Sequence, residues 1–242
     1  MNTQVFFREC RDILDIQYDR RERIIKLSRD ITSQSKKMIF ALHRVAQAKS
    51  YKDNTKKFSE TEDRKKDIII LFKKLAEDIQ GRDYYRYSRS FSGGIEEFIE
   101  ALAFYHFLQT DEIITKPEVE GHFINEEGKA WLHITAEDYM CGLADLTGEL
   151  MRYAIHLVSS GKYDKALHIC RTLRKLDQDF DLIASTYLPQ LNKKLNTLKQ
   201  SIKKVEQACY TFQIRGSEYP ADMYMTIIKN HQEQYEQEQG NY

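Results

Sequence analysis

The apolar residues of this chain recur mostly at steps of three and four, the spacing of one face of an α-helix. The most regular series runs from Tyr139 to Leu157, and a longer one runs from Phe6 to about Val45. Further series cover residues 60–79, 163–183 and 191–214. Strands alternate apolar and polar positions, and that pattern is missing from the sequence. The spacing therefore predicts an all-α protein with about six to seven long helices.

The boundaries of these helices follow from breaks in the pattern. The first helix is predicted over residues 1–48, and about forty continuous residues would span ~60 Å. Because a compact domain needs less than that, we expect part of this helix to pack against another subunit. The polar stretch from Lys49 to Ser59 is predicted to be a loop, and residues 218–242 are predicted to be partly frayed. Short connections between the helices indicate one domain over residues 1–242.

The segment Gly93–Leu108 is apolar on nearly all sides, which is typical of a buried helix. It nevertheless carries Glu97 and Glu100, which lie three residues apart and therefore on one side. A buried carboxylate needs compensating charge, and the segment contains no Lys or Arg. The compensation must come from a distant cation, a proton or a metal ion. His106 is either a hydrogen-bond donor that supports these acids or, more often, a satisfied core histidine.

A second acidic pair, Asp145 and Glu149, lies beside the regular apolar stripe of residues 139–157. If the two acidic helices pack face to face, three or four carboxylates converge and repel one another unless a cation lies among them. Oxygen ligands suit a hard ion such as Mg²⁺. The alternative is a salt-bridge network in which the acids are neutralised by Arg89, Arg152 or Arg171. The residues alone leave both interpretations open.

Charge gives no overall preference for nucleic acid, because 37 basic residues balance 37 acidic ones. Any basic surface must be local. Residues 82–89 interleave three tyrosines with three arginines, among them Arg86 and Arg89, a mixture that suits base stacking and protein interfaces equally. Basic residues also follow the predicted first helix, either as a solvated face or as a phosphate-binding stripe: Lys26, Arg29, Lys36, Lys37 and Arg44.

Cysteine usage and hydropathy bear on the compartment. The four cysteines are scattered without metal-binding spacing, which favours free thiols in a reducing compartment. No apolar run approaches the ~18 residues of a membrane span, and no secretion signal is evident. We therefore expect a soluble intracellular protein with no membrane contact.

Several strings in the chain resemble the translin family, and the likeness extends over nearly the whole sequence. The string DYMCGLADLTGELMR at residues 138–152 resembles the factor X branch of that family in particular. The others are GIEEFIEA at 94–101 followed by His106-Phe107, KLSRDIT at 26–32, LKQSIKKVEQACY at 198–210 and RGSE at 215–218.

The resemblance implies an all-helical subunit that assembles with translin into a hollow octamer. In that family the complex is a Mg²⁺-dependent endoribonuclease that cleaves single-stranded RNA, including small-RNA passenger strands and transfer-RNA fragments, and single-stranded DNA is a further expected ligand. Glu97, Glu100 and Asp145 match the catalytic, metal-binding positions, and Glu149 matches a nearby acid expected to be a fourth ligand. The expected RNA-guiding residues are Lys26, Arg29, Lys36, Lys37, Arg86 and Arg89.

Two other functions stay open. One is a non-catalytic adaptor that stabilises translin, with its acids held in salt bridges. The other is a nucleic-acid-binding subunit without catalysis. Whichever function holds, the resemblance implies that the protein resides in the cytoplasm and the nucleus, although no basic nuclear-import leader is evident in the sequence.

Overall fold

The structure, a computed structural model, describes residues 3–47, 51–183 and 188–215. Within these ranges the chain forms seven helices and no strand, which confirms the predicted all-α fold. An isolated antiparallel bridge joins Ile124 to Ala130 in the connection between the fourth and fifth helices. The helices are α1 (Thr3–Ala46), α2 (Tyr51–Asp78), α3 (Arg82–Thr110), α4 (Lys116–Gly121), α5 (Ala136–Ser159), α6 (Tyr163–Asp181) and α7 (Pro189–Arg215).

The loop predicted from Lys49 to Ser59 is wrong for most of its length, because α2 already begins at Tyr51. Lys49 and Ser50 lie outside the described residues. The stretch contains neither Pro nor Gly, and polar residues do not by themselves stop a helix. The predicted fraying over 218–242 also lies outside the described residues.

Helix α3 begins at Arg82, well before the segment predicted from Gly93, so Gly93 and Gly94 lie inside it. Gly94 has a packing role. A Cβ atom there would lie 3.0 Å from the Ser28 Oγ and 3.1 Å from the Ser28 carbonyl oxygen. The missing side chain therefore lets α1 and α3 approach closely.

The helices form two compact units, Met1–Gly142 and Leu143–Tyr242, with the boundary inside α5. The single domain stays a prediction. In the first unit, α1 and α3 run parallel, as three contacts in rising order along both helices indicate. They are the ion pairs Arg20–Asp83 and Lys36–Glu97 and the ring contact His43–Phe104.

The core of the first unit is aromatic. Phe72, Phe98 and Phe123 are fully buried, and their ring centroids lie 5.2–6.0 Å apart. The beginning of α5 packs on α3 at Gly142, where a Cβ atom would lie 2.6 Å from the Ile99 Cγ2. No larger residue fits there without moving a helix.

The predicted capping residue Thr135 does start α5. Its hydroxyl accepts a hydrogen bond from the backbone N–H of Asp138 at 3.0 Å and donates one to the Asp138 carboxylate at 2.5 Å. These bonds satisfy a backbone donor that the first turn leaves without a helical partner.

In the second unit α6 and α7 run antiparallel. Three contacts show this direction, because the residue numbers rise along α6 while those of their partners fall along α7. They are the stacked rings Tyr163–Phe212 and the ion pairs Arg174–Glu206 and Asp181–Lys199. Gly161, at φ +77°, forms the turn between α5 and α6, as predicted. None of the helices in the described ranges combines the length and apolarity needed to cross a bilayer.

The beginning of α1 is exposed although it carries several large apolar side chains among its charged residues. The first buried residue of this helix is Ile24. Seven large apolar side chains before it are 49–67% exposed: Val5, Phe6, Phe7, Ile13, Leu14, Ile16 and Tyr18. Exposed apolar area of this extent is typical of a protein-interaction surface, and the packing of this helix against another subunit stays a prediction.

Candidate active site

Helix α3 carries the candidate acids Glu97 and Glu100 in a mostly apolar environment. Glu100 is 8% exposed, and the Glu97 side chain is 18% exposed. The Nζ of Lys36 lies 3.7 Å from the Glu97 Oε2. Positive charge therefore comes from α1, because α3 has no Lys or Arg of its own around these acids.

The two candidate acids of α5, Asp145 and Glu149, also have cationic neighbours. Lys194 of α7 donates a 2.6 Å hydrogen bond to the Asp145 Oδ2, and Arg152 donates a 2.5 Å hydrogen bond to the Glu149 Oε1. Burial raises the pKa of Asp145 above its usual range, and the hydrogen bond and charge of Lys194 oppose that rise. Glu149 itself is 6% exposed.

The predicted salt-bridge network is thus present in altered form. Arg152 pairs with Glu149, whereas Arg171 donates to the carbonyl oxygen of Leu167 and Arg89 is exposed. The cations beside Glu97 and Asp145 are lysines from α1 and α7. Sequence proximity could not identify them, since they lie on distant helices.

The acids form pairs rather than a larger cluster. Over residues 3–47, 51–183 and 188–215, no group of three or more His, Cys, Asp or Glu side chains is arranged to hold a metal ion. Mg²⁺ commonly binds one or two carboxylates and completes its shell with water and substrate phosphate. The pair Glu97 and Glu100, on one side of α3 and largely shielded from solvent, has the donor chemistry for such an ion.

His106 is half-buried on α3 and lies near α4. The pKa of Glu118 is lowered mainly by hydrogen bonds from Thr115, and the charge of His106 contributes in the same direction. His106 follows Glu100 by six residues, so the two side chains lie about 120° apart around the axis of α3. The supporting role of His106 for the acids stays a prediction.

The basic residues predicted on the first helix all lie on its exposed side. We call Lys26, Arg29, Lys36, Lys37 and Arg44 the basic stripe. Lys36, 58% exposed, links this stripe to Glu97. The stripe therefore adjoins one of the candidate ligands.

The segment of alternating Arg and Tyr is the first part of α3, and only some of it faces solvent. Tyr84 and Tyr87 are buried, and their hydroxyls donate to the carbonyl oxygens of His133 and Gln17 at 2.9 and 3.4 Å. Tyr85, Arg86 and Arg89 are exposed. Two of the three tyrosines thus hold the fold together and do not present a face for stacking.

Comparison with known proteins identifies the family, because residues 19–216 match the Translin family. The chain belongs to the translin family. Translin-associated protein X of Pongo abelii is 35% identical, with 97% of this chain and 86% of that protein covered. The Schizosaccharomyces pombe homolog of that protein is 29% identical over 88% of this chain and 89% of its own length. Human translin is 26% identical over 89% of this chain and 95% of its own length. Within the translin family the chain is therefore most like translin-associated protein X.

Solved structures agree with the translin-family fold. A chain of apo-NeC3PO superimposes with a TM-score of 0.64 and 20% identity, covering 83% of this chain and 94% of that chain. A chain of the AfC3PO–duplex RNA complex gives 0.65 and 22%, covering 88% and 99%.

Two residues of this translin-family chain escaped the sequence patterns. Lys194 was one of many lysines in an ordinary amphipathic helix, and nothing local linked it to Asp145. Phe40 is 62% exposed in the middle of the basic stripe. The sequence did carry one signal for Phe40, because this apolar residue falls outside the core-facing positions of α1.

Proposed function

We propose that the chain is the catalytic subunit of a Mg²⁺-dependent endoribonuclease that cleaves single-stranded RNA within a hollow hetero-octamer with translin. The observation that carries this proposal is the near-complete burial of carboxylates, above all Glu100 at 8% exposure, in a member of the translin family. Burying a carboxylate costs free energy unless it is hydrogen-bonded or paired, and buried acids are enriched at functional sites. The RNA complex of the structurally similar AfC3PO supports RNA as the ligand.

In this proposal Glu97 and Glu100 would hold Mg²⁺, with water and substrate phosphate completing its shell. The resemblance to the family assigns Asp145 to the same reaction and Glu149 to it as a further ligand or base. When bound, the ion would lower the pKa of a water molecule and stabilise charge on the phosphate. The chain itself supplies carboxylate oxygens and shields them from solvent. Lys36, next to Glu97, and the rest of the basic stripe bind the phosphates of the strand together with Arg86 and Arg89.

A second function, that of a non-catalytic adaptor, is favoured by one specific observation. Glu97, Asp145 and Glu149 each have a lysine or arginine within 3.7 Å. In an adaptor these ion pairs persist, because no metal ion displaces the lysines and the arginine. In the nuclease the ion competes with the lysines and arginine for the same oxygens.

The deciding experiment uses the chain co-purified with translin from the same organism, because both functions require that partner. We expect cleavage of labelled single-stranded RNA with Mg²⁺ and none with EDTA. Glu100→Gln should keep the assembly and lower cleavage by more than about 100-fold, the upper end for loss of residues that support a metal ligand. Glu112→Gln, an exposed acid just beyond α3, is the matched control and should cleave normally.

The same preparation separates the functions. An adaptor shows no cleavage and no Mg²⁺-dependent rise in melting temperature. A subunit that only binds nucleic acid shows affinity that falls steeply with salt, without product. Full cleavage by Glu100→Gln would remove this residue from the mechanism.

Localisation of the tagged chain tests the proposed cytoplasmic and nuclear distribution.

A further inference from the structure

A single aromatic ring stands in the middle of the basic stripe. Phe40 follows Lys36 by four residues and Lys37 by three, and it precedes Arg44 by four. These spacings put the four side chains on one side of α1. Phe40 is 62% exposed, although Met38 and Leu42 on the core side of the helix are fully buried. A large apolar ring is thus held in solvent among positive charges.

The charge of this surface indicates an anionic occupant. Between residues 26 and 44 the sequence has five Lys or Arg and a single acid, Asp30. Three of the five are lysines, which protein interfaces disfavour. Nucleic-acid backbones are bound by lysine and arginine alike, with release of counterions. The combination of basic residues and an exposed ring favours a nucleic acid over an acidic protein.

We propose that Phe40 is a stacking platform for a base of single-stranded nucleic acid whose phosphates follow the basic stripe. The inference rests on the proposed function and adds to it a positioning residue. Every base has an apolar face, so stacking on Phe40 is independent of sequence. Bases within a duplex are already stacked on one another, so the ring selects unpaired strands.

The stripe also directs the strand toward the acids. Lys36 belongs to the stripe, and its Nζ lies 3.7 Å from the Glu97 Oε2. A strand anchored at Phe40 and Lys37 therefore runs beside Lys36 and past the acidic side of α3. Phe40 acts by fixing the register of the strand and does not touch the scissile phosphate.

The test measures binding of labelled RNA in EDTA by the full chain with the subunits that co-purify with it. Phe40→Leu keeps an apolar side chain but removes the ring, and it should weaken binding of single-stranded RNA about 5- to 150-fold. Phe40→Trp should restore binding. Tyr210→Leu, which removes a ring that is 65% exposed on α7, is the control and should bind normally. A strand of abasic sugars should bind the wild type and Phe40→Leu equally.

Salt dependence separates stacking from charge. Lys37→Gln should reduce the slope of log affinity against log salt by about 0.7, whereas Phe40→Leu should leave it unchanged. If the Phe40→Leu variant binds single-stranded RNA as tightly as the wild type does, the inference is overturned. A change in assembly size by light scattering would assign Phe40 to a protein contact and overturn it too. If the wild type binds RNA in EDTA but fails to cleave it with Mg²⁺, the nuclease fails and the platform stands. If the wild type binds no RNA in EDTA, the stacking platform fails, and the nuclease fails too only when cleavage with Mg²⁺ is also absent.

Discussion

Replacement of Gly142 by alanine tests the close contact between the beginning of α5 and α3. The added Cβ would lie 2.6 Å from the Ile99 Cγ2, 2.7 Å from the Ile99 Cβ and 2.9 Å from the Glu96 carbonyl oxygen. A side chain could rotate away, but a carbonyl oxygen belongs to the backbone. The two helix segments must therefore separate by several tenths of an ångström.

Two effects of opposite sign set the magnitude. Overpacking of this kind costs about 1–3 kcal/mol, whereas alanine gains up to about 1 kcal/mol over glycine inside a helix. Gly148 lies on the same helix, and a Cβ there has nothing within 4 Å. Gly148→Ala therefore has the helix-propensity gain of alanine without any steric overlap. The difference between the two variants isolates the overlap at about 1–3 kcal/mol.

Thermal unfolding of the two variants measures this difference. For a chain of this size each kcal/mol shifts the melting temperature by about 2–4 °C. Gly142→Ala should melt about 2–12 °C below Gly148→Ala, and Gly148→Ala should melt at or slightly above the wild type. Equal melting temperatures for the two variants would refute the close contact at Gly142.

Three further predictions concern single side chains. Lys194→Met should raise the pKa of Asp145 further, because the hydrogen bond and charge of Lys194 oppose the effect of burial on that carboxyl. A carboxyl NMR titration measures this shift, and an unchanged pKa would contradict the ion pair. Burial and a hydrogen bond to Glu62 raise the pKa of Tyr105 from 10.0 to about 12. The folded state therefore keeps the phenolic proton to a higher pH than the unfolded state does, so the free energy of unfolding falls as pH rises from 10 to 12. In urea titrations at alkaline pH, Tyr105→Phe should show a smaller fall. An identical fall would mean that other groups cause it. Thr135→Ala removes the cap of α5 and should cost about 1 kcal/mol, read as a melting temperature about 2–4 °C lower, whereas an unchanged value would mean that the cap is dispensable.

The fold was predictable because apolar spacing and breakers agree along most of the chain. Thr135 and Gly161 mark the predicted boundaries, and the stripe from Tyr139 to Leu157 is a helix as expected. The beginning of α2 was not predictable from polarity, since polar residues without Pro or Gly are compatible with both a loop and a solvated helix. Helix α3 was underestimated for a related reason. Gly93 and Gly94 resemble a break, but Gly94 serves the close approach of Ser28.

The candidate site was predictable only as far as local sequence reaches. The burial of Glu100 and Glu149 followed from their apolar helices. Their cationic surroundings depend on which helices pack together, which no local pattern encodes. The ion pairs of Lys36 with Glu97 and of Lys194 with Asp145 thus came from the structure. So did the exposure of Phe40 and the burial of Tyr84 and Tyr87.

If a partner subunit covers the beginning of α1, as we propose, the abundance of this protein would depend on that of the partner. An orphan copy carries rings such as Phe6 and Phe7 in water, where they invite self-association and capture by chaperones. Cells that lose the covering subunit should therefore clear this chain as well, even though its own gene is intact. Dependence of this kind would keep the two gene products in step without any control of transcription.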